Sequence, residues 1–452
     1  MPLTRAADWL LGREPGRVRP LAARAGAVAA LFAAGTAVAA LRLPDGQRNV
    51  LWSEDGNQFL EGAFRHDYLG MLFTPYAGYM HFLPRTAAQL VETVLPTTEL
   101  GTGMNLAGAA VWSAAAVAAF VFTRDRVRLP LRVLLWLLVL IVPIGSLEVA
   151  TNVSNSHWFL MFSLFLVVSA RSGPGIARTV FGSALVAAAV LSDPLSLAFA
   201  PLVIARAVVL PRLRENVVGL VFAAAAVVQV IVVLGTERDR GDPTLQPATM
   251  ASTYLVRVVF GDLLGHTTGS TVYAGLGRLP VVLIAAALVA VLVLLIALRL
   301  RRDGLPAIAL AASAGFFTAT AVLTWNRLGL QEPGTEVFLG GRYLVVPSLL
   351  LIVSIVSTAS AWLPAPGVRG GRRAVGAGVV VVLAAALIAP GVVDYRSPDN
   401  KAGVPELSVS VPGFRAECAA DPSASVRVPI GPAGTWFLVP CPRILDTSPG
   451  ER

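Results

Sequence analysis

The chain has 452 residues, 55% of them hydrophobic and 14% charged, with a formal net charge of +9 and a mean hydropathy of +0.70. Soluble domains carry roughly 25% charged residues, so this composition excludes a soluble enzyme, a nucleic-acid-binding module and a disordered tail protein. Lys401 is the one lysine among 36 basic residues, and the positive charge is a matter of arginine placement along a membrane chain rather than a nucleic-acid patch.

The first long apolar run is 21–43, and Arg5, Arg13, Arg17, Arg19 and Arg24 stand before or at its start. They are too many, and too far from a small-residue cleavage site, for an ordinary signal peptide, so the run reads as an anchor with its N-terminus inside. Further apolar runs follow at 104–123, 131–147, 158–170, 176–191, 195–210, 217–235, 279–298, 305–325, 343–362 and 374–393. The fold class expected is all-α: a polytopic transmembrane helical bundle of about eleven spans.

The stretch 81–100 is apolar on average but holds Arg85, Gln89, Glu92 and Glu99 between Pro84 and Pro96. Laid along the outer interface, it leaves Arg124, Arg126, Arg128, Arg132, Arg171, Arg178, Arg206, Arg212, Arg214, Arg299, Arg301, Arg302, Arg369, Arg372 and Arg373 all on the inner side. If it crosses, every later loop inverts. The positive-inside rule selects the first arrangement, with extracytoplasmic juxtamembrane helices, a cytoplasmic N-terminus and an extracytoplasmic C-terminus in a multi-pass plasma-membrane protein.

The organisation is then a membrane domain, 1–393, whose first outer loop is 44–102, followed by an extracytoplasmic tail, 394–452, rich in Pro, Gly and Ser. Cys418 and Cys441 lie in that tail. On an oxidising side they either close one disulfide or stay as two thiols, and no CxxC spacing points to metal or redox chemistry.

Candidate chemistry gathers in the outer segments. Glu54 and Asp55 follow the first span between Trp52 and Phe59. A partly dehydrated carboxylate there could take a proton from a sugar hydroxyl, while the ordinary alternative is an exposed acid pair capping a short helix after Ser53. All four histidines, His66, His81, His157 and His266, fall in outer segments without HxxxH or HExxH spacing, so zinc is rejected. A divalent cation at Glu54 and Asp55 stays open.

Asn152, Asn155 and His157 belong to a polar turn able to hydrogen-bond a sugar or phosphate, or simply to cap helices. Asp193, before Pro194, is a ligand or, more ordinarily, an N-cap. Arg342 and Tyr343 precede a span; this arginine, like Arg85 near His81, suits a lipid phosphate or snorkels to headgroups. The segment 236–278 opens with Glu237, Arg238, Asp239, Arg240 and Asp242, becomes amphipathic over 254–264 and is Gly-rich over 265–277. It reads as an interfacial helix with a flexible substrate-gating loop or, more simply, a solvated connector.

The arrangement resembles the GT-C superfamily of polytopic glycosyltransferases. The residues carrying the resemblance are Glu54 and Asp55 in the first outer loop, an interfacial helix around 79–95, Arg124, Asp125 and Arg126 after the second span, the 152–158 turn, and Arg342 and Tyr343 followed by Pro347. It implies a polyprenyl-phosphate-linked sugar donor, an extracytoplasmic glycan, lipid or protein acceptor, inversion at the anomeric carbon and no nucleic acid. Asp55, slightly preferred to Glu54, would be the base, with Arg342 and Arg85 on the phosphate. His81, Asn152, Asn155, His157, Asp193 and Tyr343 would line the substrate. The chain lacks the large soluble domain of oligosaccharyltransferases, which argues against protein N-glycosylation.

Two other classes compete. A lipid-linked-glycan flippase or other transporter would place ionisable groups at mid-membrane, where this chain has mostly Ala, Val and Leu. A non-catalytic membrane scaffold would need no convergent polar groups.

Overall fold

The structure, a computed structural model, describes residues 3–12, 21–145, 148–171, 175–210, 212–236, 246–324, 341–363, 371–396 and 401–446. Glu237, Arg238, Asp239, Arg240, Asp242 and Arg369 lie outside these. The described chain is mostly helical, as a membrane interior demands: with no water to satisfy backbone N–H and C=O groups, a helix satisfies them internally.

Every apolar run read from the sequence coincides with a helix. Six are long and apolar enough to cross a membrane: Thr97–Phe122, Val217–Leu234, Arg278–Ala297, Leu305–Leu323, Gly341–Trp362 and Ala374–Val393. Five others are apolar but shorter: Ala25–Ala40, Leu129–Ile141, His157–Val168, Ile176–Ser192 and Pro194–Val209. The Gly341–Trp362 helix is central, with 83% of its most apolar stretch buried, against 22% for Val217–Leu234, Arg278–Ala297 and Ala374–Val393. Those three helices turn apolar side chains such as Ile231, Leu283 and Val382 outward, the surface a lipid bilayer covers. Around the centre, Trp112, Phe159, Phe162, Phe165 and Leu350 pack into the main core.

The amphipathic helix Phe82–Val94 has 13 residues, about 20 Å of rise, well short of the ~30 Å hydrocarbon layer. It keeps Arg85 and Glu92 buried while Leu90 and Val94 are exposed. The amphipathic stretch is helical, and the Gly-rich stretch read as a loop is helical too, the chain running from Tyr254–Phe260 into Gly261–Leu276. Gly265, at φ 73°, breaks the helix. There Asp394 accepts from the backbone N–H groups of His266 and Thr267 and from the Thr267 hydroxyl, capping the new helix start.

Residues 401–446 form a folded unit with two strands, Ser425–Ile430 and Thr435–Pro440, paired antiparallel from Ser425 opposite Pro440 to Ile430 opposite Thr435. This small sheet is an addition to the all-α expectation. Its alternation is plain in the burial of Val426, Val428 and Ile430 on one strand and Phe437 and Val439 on the other. Cys418 and Cys441 are disulfide-bonded.

The unit docks on the first inter-helix segment. Gly431 N–H donates to Leu51 O at 2.9 Å, Leu407 N–H to Asn49 O at 3.0 Å and Leu438 N–H to the Glu61 carboxylate at 2.6 Å; Arg443 pairs with Glu92. Gly56 permits the contact, since a Cβ there would sit 2.8 Å from Ile430 Cδ1. Phe59, Leu60, Met71, Val91 and Val153 join Val428, Ile430 and Phe437 in a second core, which fixes the backbone on which the acidic pair sits.

Candidate functional site

Asp55 opens a wide π-helical turn, Asp55–Leu60, a geometry that adds one residue per turn and is frequent at functional sites. Its side chain is fully buried. The carboxylate accepts from Val153 N–H at 3.1 Å and Ser154 N–H at 2.8 Å. Two sequence features nearly a hundred residues apart, the acid pair and the polar turn, are thus one construction.

The turn is tied internally. Asn152 Nδ2 and Asn155 Nδ2 both donate to Glu148 O, at 2.5 and 2.9 Å, and Asn152 Oδ1 accepts from Asn155 N–H at 2.9 Å and the Ser154 hydroxyl at 3.1 Å. These amide contacts hold the turn, which is the capping role open to Asn and Ser. Gly108 lets the turn lie against the Leu100–Phe122 helix, because a Cβ at this position would be 2.5 Å from Thr151 O.

Burial pushes the Asp55 carboxyl up from 3.8 to about 6; the positive charge of Lys401 and the two backbone N–H groups pull it down, and Glu54 adds to the rise. Lys401 is buried, and its ammonium donates to Asn105 Oδ1 at 2.7 Å. Asn105 in turn donates to Arg48 O and Val50 O. Lys401 is therefore a site residue that the sequence reading did not assign, although its being the one lysine was a signal.

Glu54 differs from its neighbour. It is half-buried, and its Oε2 is buried without a hydrogen-bond partner among the described residues. Arg342 lies within its Coulombic range. Arg342 also reaches Glu148 at 3.7 Å, bonds the Tyr343 hydroxyl at 3.2 Å and lies over that ring at 5.0 Å. Tyr343 meets Trp158 edge-on at 5.3 Å. Glu148, absent from the sequence candidates, is thus shared between the turn and Arg342.

His157 Nε2 stands 3.3 Å from Asp193 Oδ2, while Asp193 Oδ1 accepts from Leu195 N–H at 2.7 Å. The aspartate therefore caps the following 3₁₀ turn and orients the imidazole at once. His81 is within Coulombic range of both His157 and Arg85. It stacks on Tyr79 at 3.9 Å and lies beside Tyr76 and Phe59 at 5.3 and 5.4 Å. Burial first, then His157 and Arg85, hold its imidazole well below the usual 6.5, so it is neutral at physiological pH.

Arg85 is 4% exposed. Its Nε donates to Met80 O at 3.1 Å and its guanidinium lies 5.9 Å from the Phe59 ring, with no carboxylate paired to it among the described residues. Burial lowers its pKa to about 10, which leaves it cationic.

All ten candidate side chains, Glu54, Asp55, His81, Arg85, Asn152, Asn155, His157, Asp193, Arg342 and Tyr343, belong to one chain of contacts or Coulombic neighbours. Trp52 Nε1, Asn57 Oδ1, His81 Nδ1 and Trp158 Nε1 are buried in these segments without hydrogen-bond partners among the described residues, unmet polar groups that a ligand could satisfy. No group of three or more His, Cys, Asp or Glu side chains suited to a metal occurs among the described residues. Compared with protein-family profiles and with curated proteins, the chain matches none.

Proposed function

We propose that the chain is a multi-pass membrane glycosyltransferase of GT-C type, moving a sugar from a polyprenyl-phosphate donor to an extracytoplasmic glycan, lipid or protein acceptor with inversion. In this reading the N-terminus is cytoplasmic, and the acid pair, the 152–157 turn and the 401–446 unit lie outside the plasma membrane. The observation that carries it is a half-buried carboxylate, Glu54, within Coulombic range of Arg342, in one polar cluster with a buried Arg85 that meets no carboxylate among the described residues.

The base role passes from Asp55 to Glu54. Both Asp55 oxygens receive backbone N–H groups and the side chain is enclosed, so Asp55 is a positioning residue that fixes the turn. Glu54 takes the proton of the acceptor hydroxyl, the acceptor oxygen forms the new bond to the anomeric carbon, and the bond from that carbon to the phosphate oxygen breaks. The electron pair leaves with polyprenyl phosphate, whose charge Arg342 and Arg85 stabilise. His81, neutral, and His157 hydrogen-bond the sugar, and Tyr79 offers an aromatic face at its edge.

The test is transfer from radiolabelled polyprenyl-phosphate sugars by purified wild type, Glu54→Gln and Asp55→Asn. Loss of a general base costs roughly 10²–10⁴-fold, so Glu54→Gln should lose transfer while retaining donor binding. Full activity of Glu54→Gln would overturn its role as base. A wild type inactive with every donor and acceptor would overturn the transferase reading.

A further inference from the structure

A second charged cluster lies at the other end of the Leu100–Phe122 helix. The polar turn of the candidate site lies against Gly108, so the start of the cluster at Thr123 is about 22 Å further along the helix axis. Residues 123–128 meet the start of Ile176–Ser192, Asp303 and Gly12, just after the N-terminal helix Leu3–Leu11. Asp125 pairs with Arg124 and Arg178, each at 3.2 Å; Asp303 lies 3.5 Å from Arg126 and Asp8 2.9 Å from Arg171.

Arg206 is fully buried and donates to Val168 O, Ala170 O and Glu215 O, while the Glu215 carboxylate pairs with Arg212. Like charges crowd one another: Arg171 is within Coulombic range of Arg126, Arg124 of Arg178, and Arg178 and Arg171 of Arg206.

These arginines are not saturated. Nε, Nη1 and Nη2 of Arg126, Nε and Nη2 of Arg178, and Nε of Arg171 are buried without a hydrogen-bond acceptor among the described residues. The side chains of Arg126 and Arg178 are only 5% and 8% exposed, so bulk water does not solvate them freely. Unmet donors on buried cations are costly.

The planar N–H forks of Arg126, Arg171 and Arg178, Coulombic neighbours directly or through Arg206, suit an anion with three or more acceptor oxygens. The N-terminal helix closes over the cluster. Trp9 Nε1 donates to Leu300 O at 2.6 Å; Gly304 N–H donates to Trp9 O and Arg171 N–H to Leu11 O, each at 3.1 Å. A Cβ on Gly12 would fall 2.7 Å from Arg126 Nε.

We infer that Arg126, Arg178 and Arg171 form a phosphate-binding site at this end of the bundle, filled by the phosphate of a lipid headgroup or by free phosphate. The inference does not rest on the transferase reading. It gives the excess of arginine over carboxylate here a ligand.

The test uses the full chain in a neutral detergent, titrated calorimetrically with inorganic phosphate, dioctanoyl phosphatidic acid and dioctanoylglycerol. Saturable binding of phosphatidic acid or phosphate, but not of dioctanoylglycerol, is expected. Charge-assisted bonds predict roughly tenfold or greater weakening in Arg126→Gln. Phosphatidic acid binding far tighter than phosphate identifies a lipid headgroup, and equal affinities identify free phosphate. Arg178→Lys keeps the charge but removes the fork; it should weaken binding several-fold and decides the matter if Arg126→Gln does not fold. Absence of saturable binding by either phosphate compound, or undiminished binding in Arg178→Lys, would overturn the inference.

Discussion

Asp55→Asn is expected to alter the pH dependence of stability more than stability itself. In the folded chain burial lifts this carboxyl from 3.8 to about 6. At ~1.36 kcal/mol per pH unit, the ionised group is about 3 kcal/mol less favourable in the folded state than in the unfolded chain. Between pH 3.8 and about 6 the native state keeps a proton that the unfolded state has released. Native stability therefore falls as pH rises through this window and levels off above it. Asparagine does not titrate, so the stability of wild type relative to the variant should drop by about 2.4 kcal/mol from pH 4 to pH 7, shared groups such as His81 cancelling. Over 452 residues that is about 3 °C in melting temperature. A constant offset of ~1–3 kcal/mol is superimposed, because the asparagine NH₂ faces a backbone donor. Matched thermal scans of both proteins in one detergent measure the difference. A difference that is flat across the window, or that grows with pH, would refute the reasoning.

His81 acts with the opposite sign. Its imidazole is held well below 6.5, so on acidification the unfolded state takes up the proton first and stability is lost as pH falls below 6.5; His81→Asn, which tolerates the left-handed backbone at φ 54°, should remove that acid sensitivity in the same scans. Replacing Cys418 and Cys441 with serine opens a link spanning 23 residues and should cost about 3 kcal/mol, seen as protease cleavage within 401–446 before the helices are attacked. Gly108→Ala places a Cβ against the Thr151 backbone; the expected cost is ~1–3 kcal/mol, with faster amide exchange in the 152–157 turn. On the proposed transferase reading, Arg85→Gln should weaken binding of a polyprenyl-phosphate sugar by roughly tenfold or more without a comparable change in melting temperature, measured by titration with that compound.

The helices were legible because membrane spans are written in long apolar runs, and the acid pair and the polar turn were legible because polar residues between such runs are conspicuous. Their union was not: nothing in the spelling around Asp55 indicates that its acceptors are met by the N–H groups of Val153 and Ser154. Nor could the spelling say that of the two adjacent acids Asp55 is enclosed and Glu54 half-buried, since burial and partners are properties of packing. Lys401 stood out by rarity, yet its neighbour Asn105 lies 296 residues away. The hairpin was missed although Val426, Val428 and Ile430 alternate as a half-buried strand does, because the Pro, Gly and Ser around them carry no comparable pattern. The Gly-rich stretch misled in the other direction: Gly265 marks a capped break within a helix rather than a loop.

The second core also bears on biosynthesis. Its halves are separated by most of the chain, with 377 positions between Glu61 and Leu438. At about 5–20 residues per second, Phe59 and Leu60 are synthesised roughly 20–75 s before Ile430 and Phe437 arrive to cover them. During that interval the acidic segment displays an apolar face without its native cover, a surface that chaperones recognise and that aggregation exploits. Mutations in the last fifty residues should therefore lower the yield of membrane-inserted protein before they alter any property of the finished molecule.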